Sequence, residues 1–163
     1  MAKLKSIEGS VVTKLLSGNM YFYRYSAETL TPFYDEYPLI FMIRKKGSLI
    51  EGINFHYMGV ARRRALLNEM KPFFNTDVIE SDTRLLVRRF RNLLLVTRKL
   101  RDAKIALHRY KINNIRSKII MVEPENWEYA IREPTQKFIT NSGNRQTQRN
   151  IWKRTNIQAK RTR

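Results

Sequence analysis

Cysteine is absent from the 163 residues, which excludes disulfide frameworks, zinc ribbons, thiolate nucleophiles and iron–sulfur ligation together. Histidine is almost as scarce, with His56 and His108 the only two. No stretch approaches the roughly 20 apolar residues that span a bilayer, and the opening MAKLKSIEGSVVTKLL lacks the apolar run of a signal peptide. The expectation is a protein made in a reducing cytoplasm, working there or in something assembled there, with no membrane partner. Acids are also few: 14 against 32 Lys and Arg, a formal charge of +18. So small a body repels itself at that charge unless a polyanion lies close by, so an anionic partner is the first inference. The content of 42% hydrophobic and 11% aromatic residues is nonetheless too high for wholesale disorder.

The signatures of common enzymes are missing too. There is no GxxxxGKS or GxxxxGKT phosphate loop, no GxGxxG, no HExxH and no GxSxG. A nuclease would gather carboxylates around magnesium. Glu123, Glu125 and Glu128 are the one close group, and without a PD-type carboxylate followed by ExK they read as a solvated turn. His56, in NFHY, reads as a structural histidine on a strand, and His108 as a surface residue of a basic helix. No catalytic residue, metal ligand, cofactor or small-molecule substrate is expected.

What is present is unevenly spread. The chain reads as one α+β domain over residues 1–140, β-rich at 1–58, basic and helical at 59–112, strand and turn at 113–140. A basic C-terminal arm follows at 141–163. In the first part, MYFYRY from Met20 spaces its aromatics as a half-buried strand does. YPLIFMIRKKGSLIEGINFHYM from Tyr37 reads as a hairpin whose turn uses Gly47 at positive φ. Together they predict a small twisted β-sheet or SH3-like barrel. The intervening loop SAETLTPFYDEYP is rich in aromatics that cover one end of the sheet, and its Tyr34 and Tyr37 are candidates for docking a partner.

The middle opens with Arg62, Arg63 and Arg64 on a short helix from Val60 to about Met70, ended by Lys71 and Pro72. A longer helix is predicted from an N-cap at Ser81 or Asp82 through Tyr110. Leu86, Phe90, Leu93, Leu94 and Leu100 form its apolar face, and Arg84, Arg88, Arg91, Arg98 and Arg101 fall between them. From Arg84 to Lys118 twelve bases face a single acid, Asp102, more than solubility needs, so these arginines are candidate phosphate contacts. SKIIMVEP, from Ser117, returns to strand character and would close the sheet begun at Met20, and ENWEYAI reads as a helical turn carrying Trp127 inward. The arm adds Arg149, Lys153, Arg154, Lys160 and Arg161 as further nucleic-acid candidates, with Trp152 as an anchor for a partner or for the chain itself. Such scattered bases bind phosphate without regard to sequence.

Several stretches carry a resemblance. Tyr34, Asp35, Tyr37, Pro38 and Leu39 come first, then Gly52, Asn54, His56 and Tyr57, then Glu123, Pro124, Trp127, Glu128, Pro134, Thr135, Gln136 and Phe138. This pattern resembles a family of small proteins of T-even-like contractile-tailed bacteriophages. Members often have a proline after the histidine-tyrosine strand, where this chain has Met58, Gly59 and Val60. The resemblance implies a virion-associated or DNA-associated protein and supplies no catalytic residues. Its function would be that of a non-enzymatic structural component of the particle, in head interior, portal and neck, tail or baseplate. It would dock on other virion proteins, contact DNA electrostatically, and be made in the host bacterial cytoplasm. A ribosomal-type RNA-binding assembly protein is the alternative, and a packaging-linked nuclease comes third.

Overall fold

Side chains alternate faces along an extended chain, and the segment after Tyr37 shows the consequence of burying both faces. A computed structural model of the protein describes residues 7–28, 33–74, 106–140 and 151–153. In it Leu39, Phe41 and Ile43 point into one apolar cluster while Ile40 and Met42 point into another, all at most 1% exposed. These residues form β4 (Leu39–Lys46), the middle of a sheet. Its hairpin partner is β5 (Leu49–Asn54), joined by Gly47 and Ser48. Only Gly47 has positive φ, +60°, the pattern of a type II′ turn with glycine first.

The remaining strands are β1 (Ser10–Val12), β2 (Met20–Phe22), β3 (Phe33–Asp35), β6 (Leu107–Lys111), β7 (Ile119–Val122) and β8 (Phe138–Thr140). Six of them form an antiparallel sheet in the order β1-β7-β2-β4-β5-β6, and β3 pairs with β8 in a separate ribbon. β7 lies beside β2, Met20 opposite Val122, so the late strand does join the sheet begun at Met20. The sheet does not close: β1 and β6 are its two ends. The expected SH3-like barrel is therefore corrected to an open sheet. Its end strand β1 and the inner strand β2 have three residues each, too short to coil round, and β3 and β8 pair with each other instead.

Two helical elements lie among the described residues between strands: α1 (Val60–Phe74) and α2 (Trp127–Ala130). α1 runs past Pro72, where a stop at Lys71 was expected. A proline two residues from a helix end forfeits one late hydrogen bond rather than breaking the helix in its middle. Arg63, Leu66, Leu67 and Met70 face inward at three- and four-residue spacing, the stripe a packed helix needs. Trp127 is inward as expected, its indole N–H donating to the Val122 carbonyl at 2.9 Å.

Two expectations need correction. The predicted basic helix through Tyr110 does not hold at its end, because Leu107–Lys111 is β6, aligned with Leu49–Ile53 of β5. His108 accordingly sits on a strand. His56 sits in a single 3-10 turn, Phe55–Tyr57, capped by the Asn54 side chain accepting from the His56 N–H; the strand has already ended at Asn54.

Candidate functional site

Several of the residues that carry the family resemblance, Asp35, Tyr37, Asn54, His56 and Thr135, lie far apart in sequence and meet in one network around the Asp35 carboxylate. Asp35 ends β3 and is 1% exposed. One of its oxygens accepts from the backbone N–H groups of Tyr37 (3.0 Å) and Lys137 (3.2 Å). The other accepts from Asn54 Nδ2 at 3.0 Å and faces His56 Nδ1 at 2.6 Å. Asn54 Nδ2 also donates to the Tyr110 hydroxyl at 3.1 Å. The opposite ring nitrogen of His56 meets Thr135 Oγ1 at 3.1 Å. One buried charge thus ties together β3, β5, β6 and the approach to β8. Gly52 lets this happen, because a Cβ there would meet the Phe41 carbonyl oxygen at 2.9 Å and Ile40 at 3.3 Å.

Burial opposes the charge on Asp35, but His56 and the N–H donors outweigh it and hold the carboxyl below its ordinary 3.8. Burial is also the strongest influence on His56 and pushes it below 6.5, with Asp35 resisting and Arg63 adding to the fall. The ring is then neutral at pH 7. Its proton sits on Nδ1 facing Asp35, and Nε2 accepts from the Thr135 hydroxyl. Carboxylate, imidazole and hydroxyl stand in the order of a nucleophile triad. The cavity bordering this network is lined by Asp35 and by neither His56 nor Thr135. Joining β3, β5, β6 and the approach to β8, the network acts as a clasp.

That cavity, of about 500 Å³, lies between the β3 end and the β5–β6 edge. Its walls are Tyr25, Phe33, Tyr34, Tyr57, His108 and Tyr110. Tyr57 stacks on His108 with ring centres 4.0 Å apart, and Tyr25 meets Tyr110 edge to face at 5.0 Å. Burial raises Tyr57 and Tyr110 above their ordinary value, so both hydroxyls are neutral. Arg109 and Lys111 stand at the mouth with Glu28, and Lys111 Nζ pairs with Glu28 at 2.6 Å.

The structure separates the expected phosphate contacts. Arg64 is exposed and Arg62 half-buried, but Arg63 is 1% exposed, which corrects its reading as a surface ligand. Its guanidinium donates to the carbonyls of Met58 (2.7 Å) and Ile131 (2.9 Å) and lies 5.3 Å from the centre of the Trp152 ring. Burial lowers Arg63 to about 10, so it remains a cation. Trp152 docks on its own chain, its indole N–H donating to the His56 carbonyl at 3.0 Å, and Ile151 beside it is 1% exposed within the core. Tyr37 is buried against Phe22, whereas Tyr34 is half-buried on the cavity wall. Lys153 is exposed. Arg84, Arg88, Arg91, Arg98, Arg101, Arg149, Arg154, Lys160 and Arg161 lie outside the described residues.

Sequence reasoning missed Asp35, Asn54 and the cavity-lining Tyr110 as partners. The available signal was that Asp35, Asn54 and His56 all sit in the stretches carrying the resemblance. No curated protein and no solved structure matches this chain. A family model does match, over residues 2–155, and its description is phage T4 terminal DNA protecting protein. The clasp, built from residues of those separated motifs, lies inside that span, and the chain belongs to this T-even phage family.

Proposed function

We propose that this protein binds the ends of linear phage DNA and shields them, acting as a non-enzymatic cap carried in the particle. The observation that carries this reading is the match over residues 2–155 to a family described by protection of terminal DNA. The charge of +18 supplies the attraction, since each neutralised phosphate releases counterions and draws DNA without regard to base sequence. Arg62, Arg64, Lys153 and the cations of 75–105 and 154–163 are its phosphate contacts. The buried clasp and the Arg63 hub contribute rigidity around Arg62, Arg64 and Lys153, so that these cations keep their spacing when phosphates approach. Neighbouring virion proteins would meet the exposed apolar side chains of Val11, Leu16 and Tyr129.

End recognition is tested by competition. The full-length protein is bound to a labelled linear duplex and challenged with unlabelled linear DNA or with a closed circle of the same sequence. Linear competitor should displace the label at lower nucleotide concentration than the circle. Equal displacement would leave a general DNA-binding protein and overturn the capping role.

A further inference from the structure

A basic surface attracts duplex DNA anywhere along its length, so a preference for ends needs something that only an end offers. A terminal base pair is stacked on one side alone and can open at less cost than an internal pair, which must lose two stacking neighbours. The aromatic cavity has the character required to use that difference. At about 500 Å³ it is within the roughly 300–1,000 Å³ of small-ligand sites.

Most of its wall is aromatic, from Tyr25, Phe33, Tyr34, Tyr57, His108 and Tyr110, and offers faces on which a base can stack. Asn114, 6% exposed, lines it, and its amide nitrogen makes no hydrogen bond of good geometry among the described residues. That amide lies close enough to Glu28 to help lower its carboxyl, after the stronger effect of Lys111. A ring nitrogen or carbonyl of a base would give this amide a well-aligned acceptor. Asp35, ionised and in the lining, keeps phosphate out of the depth. The cations are at the mouth in exposed ion pairs, Arg109 with Glu51 at 3.4 Å and Lys111 with Glu28 at 2.6 Å, their side chains 71% and 51% exposed, so an incoming phosphate exchanges with surface carboxylates. Neutral ring inside and anion outside is the polarity of a nucleotide entering base first.

Resting on the capping role proposed above, we infer that this cavity receives the unpaired terminal base of a DNA end, with the adjoining phosphate held by Arg109 and Lys111. The cavity explains end preference without sequence preference, because every base has a stacking face.

The test compares three 30-base-pair duplexes, closed by a hairpin at one end and differing at the other: a matched terminal pair, a terminal mismatch already frayed, and a terminal position abasic on both strands. Affinities of the full chain are measured by fluorescence anisotropy, with a closed circle as competitor. The mismatched end should bind tightest and the abasic end about tenfold more weakly than the matched one, the scale of losing one stacked base. Tyr34→Ala, which removes a half-buried wall, should collapse the three affinities toward the abasic value. Leu49→Trp should do the same by filling the mouth from an exposed position, 38% exposed on the hairpin, where the fold is not at stake. Equal affinity of the wild-type protein for all three ends overturns the cavity assignment. So does an ordering that survives both substitutions. If the ends remain equal to one another but all outcompete the circle, the cavity inference fails and capping stands. If the circle competes equally, capping itself fails.

Discussion

At the scale of the residue, Asp35 and His56 set the pH behaviour of the fold. His56 is held below its ordinary 6.5 by burial, so the unfolded chain takes up a proton that the folded chain refuses. Stability is therefore full above pH 6.5 and falls as the pH drops below it, and Asp35, held below 3.8, adds a further loss at lower pH in the same direction. Urea midpoints measured from pH 7.5 to 5 should decline, and His56→Gln should flatten that decline. A midpoint unchanged over this range would place the ring in a different protonation state. Asp35→Ala should cost about 3–5 kcal/mol, because it strands buried donors rather than removing a surface pair. Unfolding of the variant at pH 7 gives the number directly. None of this pairing was legible in the sequence. An acid 21 residues from a histidine carries no local mark of contact, and His56 read correctly only as structural, without its partner.

At the scale of the element, legibility followed the range of the contacts. The β4–β5 hairpin was readable because alternation, a run buried on both faces and Gly47 all act within a few residues. β6 was not readable. Its five residues, LHRYK, follow a long basic stretch with helical spacing, and what makes them a strand is β5, which precedes them by more than 50 residues. The β-edge pairing overrode the local pattern. The arm shows the same reach of tertiary contact: its composition is polar and cationic, yet Ile151 and Trp152 fill a site made by Gly59, His56 and Arg63. Deleting residues 151–163 should consequently destabilise the domain rather than spare it. Trp152→Ala should cost roughly 3 kcal/mol, toward the low end for a large aromatic since the ring is half-buried. Thermal unfolding of both variants checks this, and an unchanged midpoint would mean that the Arg63–Trp152 contact adds nothing to the fold.

At the scale of the whole molecule, charge decides affinity and the fold decides where it is presented. Binding to duplex DNA should weaken by orders of magnitude between 50 and 200 mM salt if, as +18 allows, about six or more phosphates are engaged. Titration at several salt concentrations would give the slope, and a salt-insensitive constant would contradict an electrostatic grip. If the protein caps ends without cutting them, magnesium or manganese added to the protein with linear and supercoiled DNA should leave both intact. The central claim is protection of ends, and exonuclease challenge tests it most directly. Linear duplex preincubated with the full-length protein should survive a processive double-strand exonuclease at protein-to-end ratios near one, while an endonuclease cuts the same DNA unhindered. Digestion from the ends at the rate of naked DNA, or equal shielding from both enzymes, would contradict the account.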